Sequence, residues 1–313
     1  MSLLSILDLR VVFSANGWKV HALDSVSFDL EEGGRLALVG ETGCGKSVIG
    51  LAIPGLLPTT ARVSGRILWK GRDLLQLQQK DLVRCRGRSI GLMPQNSAQS
   101  LNPLVRIGRQ IEEVFRVHFP WLHGKGKGMV HGLLDRWGFD DPPLASRRYS
   151  HQLSGGMRQR VLLAICEAME PELVIADEPT KGLDPLLRAD AVENMEAMVV
   201  RPGRAMLLIT HDLPVAGMLA DQIAVMYAGQ IVEQGRAADV LGKPVHPYTA
   251  GIAASLPEQG LHSIPGVAPS MITLPAGCRF RDRCSRSDED CSYPPPLVSA
   301  GEDHLVRCFH PLG

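Results

Sequence analysis

Gly40-Glu41-Thr42-Gly43-Cys44-Gly45-Lys46-Ser47 follows the apolar run Arg35 to Val39 and precedes a second apolar stretch, Ile49 to Leu57. The first run reads as a short buried strand. The second reads as the body of a helix that begins near Gly45 and ends around Pro54 to Pro58. A strand feeding a helix through this spacing of glycines, with Lys and Ser at its end, is the P-loop pattern in its proper context. The physical reason is simple. Glycines let successive backbone N–H groups curl around a β-phosphate, and the helix start adds a positive field. Lys46 reaches the β and γ oxygens, and Ser47 can ligate Mg²⁺. A purely structural glycine turn needs none of these companions.

Outward from this loop the chain alternates strands and helices. Leu7 to Ser14 and Ala22 to Leu30 flank the turn-rich Ala15-Asn16-Gly17 as a hairpin. Gly65 to Trp69 and Ile90 to Pro94 read as strands. Ile107 to Phe119 and Met129 to Phe139 have helical periodicity, separated by the Gly- and Lys-rich turn His123 to Gly128. Then come a helix over Gly155 to Glu167, a strand over Leu173 to Ala176, a helix over Leu186 to Val199 and a strand over Ala205 to Ile209. A further helix and strand end near Gly229. This order predicts an α/β fold, with a helical subdomain inserted over about 96–152. Beyond Pro244 prolines and glycines recur. The expected organisation is therefore a main domain over 1–243 and a loop-dominated C-terminal appendix over 244–313. No internal repeat is visible.

Several other groups carry chemistry suited to a bound nucleotide. Leu173-Val174-Ile175-Ala176 ends in Asp177-Glu178, which places Asp177 for Mg²⁺ and Glu178 one residue further on, as the general base for an attacking water. His211 follows the strand at Met206 to Ile209, where an imidazole can bond a γ-phosphate. Gln95, at the end of the strand Ile90 to Pro94, offers an amide to Mg²⁺ or to the water. Leu153-Ser154-Gly155-Gly156-Met157-Arg158-Gln159-Arg160 opens a helix with a Ser and two glycines, a second anion site. Two such sites serve one nucleotide only when they come from opposite subunits.

This ordered set resembles the ATPase subunit of ATP-binding cassette transporters. The resemblance covers residues 1 to about 240. It implies the cassette-type P-loop fold and two domains packed head to tail, in which the P-loop of one and Ser154-Gly155-Gly156 with Gln159 of the other close over each ATP. It also implies an aromatic residue beside adenine near Phe13, with Trp18 the alternative, and places Asp184 in a loop that couples the two sites. Cys44 stands where serine is common, and Lys181-Gly182 where a small polar residue and alanine are usual. Lys46, Gln95, Glu178 and His211 are all retained.

Ser100-Leu101-Asn102-Pro103, Ile107-Gly108, His246-Pro247-Tyr248-Thr249 and Gly277-Cys278-Arg279-Phe280 narrow the resemblance to the oligopeptide, dipeptide and nickel importers. Membership there implies two transmembrane permease subunits, a paralogous or identical ATPase partner, a substrate-binding protein, and a peripheral place on the cytoplasmic face of the membrane. Peptide is the expected cargo; nickel or a metal chelate is the alternative. Cys278, Cys284, Cys291 and Cys308 offer four soft ligands on Pro-rich backbone, a set suited to Zn²⁺ or a [4Fe-4S] cluster by chemistry. The resemblance favours the cluster, as a structural clamp; zinc, or thiols left unligated or otherwise paired, are the alternatives. Arg279, Arg281, Arg283 and Arg286 either offset its charge or form a solvated face.

Composition sets bounds on these readings. The 313 residues hold 33 Lys plus Arg against 33 Asp plus Glu, so the basic footprint of a nucleic-acid binder is missing. A soluble cassette ATPase acting on ribosomes or DNA is thereby disfavoured, as is a nucleic-acid partner. No apolar run approaches the roughly 20 residues of a spanning helix. Met1 to Leu9 includes Asp8 and no basic leader. Seven cysteines, an odd number, point to a reducing compartment.

Overall fold

Leu36 to Val39 are all buried, as are Ile223 to Met226. Continuous apolar runs without alternation suit parallel strands covered on both faces. The computed structural model pairs them as β3 (Arg35–Val39) and β9 (Gln222–Tyr227), with Leu36 opposite Gln222 and Val39 opposite Val225. The structure describes residues 2–15, 17–95, 100–121 and 126–313. Asn16 of the predicted hairpin turn, residues 96–99 of the predicted helical subdomain and part of the predicted turn at His123 to Gly128 lie outside the described residues. Two compact units emerge: Met1–Glu31, Arg35–Gln76 and Leu208–Gly313 form the first, and Glu32–Gly34 with Leu77–Leu207 the second.

In the first unit β1 (Ser2–Ala15) and β2 (Trp18–Glu31) pair antiparallel, with Ala15 opposite Trp18. The hairpin is longer than its sequence pattern because the alternation slips phase. Leu4 and Ile6 are buried, then Leu9 and Val11. A register shift between Ile6 and Leu9, with Asp8 at φ 50°, absorbs the extra residue and returns the apolar side chains to the core. β4 (Ala61–Trp69) pairs with β1 and β5 (Arg72–Asp73) with β4, giving the order β2-β1-β4-β5. The β3–β9 pair continues through β10 (Gln230–Arg236), β12 (His304–Val306) and β11 (Val298–Gly301), all antiparallel. Helices α1 (Lys46–Ala52), α8 (Leu213–Leu219), α9 (Ala237–Gly242) and α10 (Pro247–Ala254) complete this unit. The segment beyond residue 244 is thus not all loop: α10, β11 and β12 lie within it.

In the second unit β6 (Ile90–Met93) and β7 (Leu173–Asp177) are parallel. α3 (Ile107–His118) buries Ile107, Ile111 and Phe115 at a spacing of one helical turn. α4 (Gly126–Arg136) buries Val130, Leu133 and Leu134. It begins inside the segment expected as a turn, because packing of that apolar face outweighs the poor helix propensity of Gly126 and Gly128. α2 (Gln79–Cys85) buries no residue and α5 (Pro142–Arg147) only Ala145, so neither shows an apolar stripe. α6 (Gly155–Glu167) and α7 (Pro185–Val199) match the expected helices. β8 (Ala205–Thr210) carries the chain onward into the first unit. The buried Glu167 carboxylate lies 3.3 Å from Arg204, 3.1 Å from Arg201 and 3.6 Å from Arg136. A buried charge requires such pairing. Among the described residues no helix is long and apolar enough to cross a membrane.

His246 caps α10 from a fully buried position: its Nδ1 accepts the Tyr248 N–H at 3.0 Å. Burial pushes the imidazole down to about 3, despite a hydrogen bond to the Arg307 backbone. The unfolded chain binds this proton near pH 6.5, whereas the folded chain refuses it until far lower. Stability is therefore full above about pH 6.5 and falls as pH drops below it. His246→Asn, which keeps a capping acceptor, should flatten the fall in thermal midpoint between pH 7 and pH 5; an unchanged slope would assign that fall to other groups.

Candidate nucleotide site and cysteine cluster

The loop from Gly40 to Ser47 in the first unit is held by backbone. A Cβ at Gly40 would stand 2.1 Å from the Met226 carbonyl oxygen, and one at Gly45 2.4 Å from that of Ala22. Gly45 also sits at φ 106°. Only glycine satisfies both demands at these positions. Lys46 is 5% exposed, and its Nζ donates to the carbonyl oxygens of Gly40 at 2.7 Å and Glu41 at 3.0 Å. The ammonium thus lies folded over its own loop. Cys44 is buried, which pushes its thiol up and leaves it inert. Thr42 and Gly43 are exposed and Ser47 is half-buried.

In the same unit Phe13 lies half-buried on β1, opposite Val20 and Ala61, whereas Trp18 is 64% exposed. His211 is exposed immediately after β8. The next residue, Asp212, caps α8 by accepting the Val215 N–H at 3.1 Å.

The second unit holds the other expected groups. Ser154 is exposed and caps α6, its Oγ accepting the Met157 N–H at 3.2 Å. A Cβ at Gly155 or Gly156 would stand 3.9 or 3.3 Å from the Leu187 side chain. Gln159 is buried, and its Nε2 donates to the Pro179 carbonyl at 3.1 Å. That bond ties α6 to the turn after β7, where Asp177 and Glu178 are both buried. Glu178 has φ 49°, a left-handed backbone that costs roughly 1–3 kcal/mol for a non-glycine residue and clusters at working sites. The Lys181 N–H bonds back to the Glu178 carbonyl at 3.2 Å and closes the turn. Gln95 is exposed just past β6. Asp184 is exposed, and its Oδ1 accepts the Leu187 N–H at 3.0 Å, as a cap for α7 does.

The four tail cysteines, spread over the last part of the chain, converge in the first unit. Burial pushes Cys278 up to about 11, and the thiols of Cys291, Cys308 and Cys284 add to the rise. Burial likewise raises Cys284 and Cys308, again with neighbouring thiols contributing. Asp288 and His310 stand beside Cys291, all three ligand atoms within 4.8 Å of one another. Of the four arginines, Arg286 opposes the rise at Cys284 and Cys308. Arg279 instead bonds Asp24 and the Ala228 carbonyl, Arg281 pairs with Asp282, and Arg283 pairs with Glu41. Neither sequence reading of the arginines foresaw these partners, which lie up to 255 positions away.

Comparisons with known proteins identify the family of the chain. The ABC transporter model matches residues 23–181, and the model of the oligopeptide/dipeptide transporter C-terminal region matches residues 232–291. The oligopeptide transport ATP-binding protein OppD of Escherichia coli (strain K12) is 36% identical over 316 residues, spanning 99% of this chain and 94% of that protein. The dipeptide transport ATP-binding protein DppD of Bacillus subtilis (strain 168) is 38% identical over 315 residues, spanning 98% and 94%. A solved dimeric ATP-binding cassette in a post-hydrolysis state, bound to ADP and phosphate, superposes with a TM-score of 0.65 at 22% identity, covering 75% of this chain and 98% of that one. That likeness bears on the fold. With an ABC transporter match over half of its length and relatives matched from end to end, the chain belongs to the ABC transporter family, as an ATP-hydrolysing subunit with the oligopeptide/dipeptide-type C-terminal region.

Proposed function

We propose that this chain powers the import of peptides, working from the cytoplasmic face of the membrane on two permease subunits supplied by a substrate-binding protein. The observation that carries this reading is a likeness to oligopeptide and dipeptide transport proteins that runs through the cysteine-rich tail as well as the nucleotide motifs. ATP binding would close two ATPase subunits head to tail, and hydrolysis would reopen them.

In this reading the backbone of Gly40 to Ser47 and the Lys46 ammonium take the β- and γ-phosphates, and Phe13 lies by the adenine. Lys46 must then leave the carbonyls of Gly40 and Glu41, exchanging two neutral acceptors for phosphate oxygens. Ser47, Asp177 and Gln95 are the residues to hold Mg²⁺, which when bound would offset charge on the phosphate oxygens. Glu178 orients the attacking water and accepts its proton, and His211 bonds the γ-phosphate. Ser154, Gly155 and Gly156 address the nucleotide of the partner subunit. Gln159 supports them by bracing the turn at Pro179, and Asp184 reports across the dimer. The work is positioning and electrostatics.

Cys278, Cys284, Cys291 and Cys308 would hold a [4Fe-4S] cluster, with zinc the alternative. Convergence of four thiols in one place fits either group, and the oxygen and nitrogen of Asp288 and His310 beside Cys291 suit zinc. Either would cross-link a stretch poor in apolar residues.

Glu178→Gln should bind ATP normally and lose hydrolysis by roughly 10²–10⁴-fold; full turnover would remove Glu178 from its role. In vesicles carrying the complete complex, ATP-dependent accumulation of a labelled peptide is expected, and uptake of nickel without peptide would reassign the cargo. After anaerobic purification, iron and acid-labile sulfide should each approach about four per chain. One zinc with neither of them would replace the cluster.

A further inference from the structure

The second residue of the phosphate loop is an acid. Glu41 is half-buried, and its carboxylate adds a negative charge to the loop that the proposed function assigns to a triphosphate. The tail answers that charge from 242 positions away. Arg283 Nη1 donates to Glu41 Oε2 at 2.9 Å and Nη2 to Oε1 at 3.0 Å, a two-bond fork that a guanidinium makes and an ammonium does not.

Every other face of this guanidinium is also held. Nε donates to the Pro265 carbonyl at 2.9 Å, and Nη1 also reaches the Tyr227 hydroxyl at 3.2 Å. The group stacks 5.7 Å from the Tyr227 ring and 5.9 Å from that of Phe280, and the side chain is 7% exposed. Phe280, three residues earlier, is locked among Tyr227, Tyr248 and His246, with ring centroids 5.2, 5.4 and 5.9 Å away. Tyr248 adds a second tie, its hydroxyl accepting the Glu41 N–H at 2.9 Å. Both the charge and the backbone of Glu41 are thus set by residues from beyond the strand that underlies the loop. Arg283 immediately precedes Cys284, so the segment that brings it there is the cysteine-rich one.

We infer that Arg283 is a positioning residue of the nucleotide site, which neutralises Glu41 and thereby lets the cysteine-rich tail set the affinity of the loop for ATP. The inference rests on the reading of Gly40 to Ser47 as the phosphate loop. Without the fork, an uncompensated carboxylate repels the phosphates. Without the carboxylate, an unspent guanidinium attracts them. The two single substitutions therefore act in opposite directions, which a merely structural contact does not produce.

The test is the dissociation constant of Mg·ATP, measured by calorimetry on the full-length protein in the Glu178→Gln background, with thermal melts to verify folding. Arg283→Gln should weaken binding on the order of tenfold. Glu41→Gln should tighten it by about threefold, and the double variant Glu41→Gln/Arg283→Gln should return close to the starting affinity. Arg281→Gln, in an exposed pair with Asp282, should change nothing. Unaltered affinity in folded Arg283→Gln, or a double variant as weak as the single, would overturn the inference. If Arg283→Gln does not fold, Glu41→Gln decides alone, and weaker or unchanged binding there overturns it. Lys46→Ala tests the underlying reading separately: loss of ATP binding supports the phosphate loop, whereas retained binding would remove that loop and the inference together.

Discussion

Two backbone carbonyls, those of Met226 and Ala22, lie so close to Gly40 and Gly45 that no side chain fits at either position. That contact shapes everything around it. The loop passes close to β9 at Gly40 and close to β2 at Gly45. β9 is held parallel to β3, which feeds the loop, so the strand that delivers the chain and the strand that confines it are neighbours. The sheet fixes the course of this loop before any side chain is considered.

Charges are then added with little left to chance. Lys46 directs its hydrogen bonds to the carbonyls of its own loop, and Glu41 is countered by Arg283. In the second unit the acidic turn follows a different plan. Glu178 takes a left-handed backbone, and the bond from Gln159 to Pro179 ties its turn to α6. α6 begins at Ser154, and one helix therefore carries an exposed cap at its start and, further along, a buried amide that braces the acidic turn.

The elements that could be read from sequence were those whose physics is local. β3 and α6 match their expected bounds because one is a continuous apolar run between glycines and the other starts at a Ser cap. The length of β1 was hidden by its bulge, which reverses the alternation halfway along. α5 was legible but unread: Asp141 accepts the Leu144 N–H at 2.9 Å and Pro142 follows it, a cap and a helix-starting proline without an apolar stripe. α2 offered less, since it buries nothing. Among site residues, the P-loop, Ser154 and the Asp177-Glu178 pair carry spacing signals. The partners of Arg279 and Arg283 do not, because no local pattern links a tail arginine to an acid in the first 41 residues.

The Glu233 carboxylate is wholly buried on β10 and is met by Val245 N–H at 2.9 Å, His246 N–H at 2.8 Å and His304 Nε2 at 2.8 Å. All three groups come from beyond residue 243, and β12 pairs with the same strand. Severing the chain there would strip a buried charge of these donors and open a strand edge to any passing chain. The C-terminal region is consequently not an interchangeable module. Recombination between relatives that exchanges it must carry β10 along and must also preserve Asp24 and Glu41, the partners of Arg279 and Arg283 in the first part of the chain.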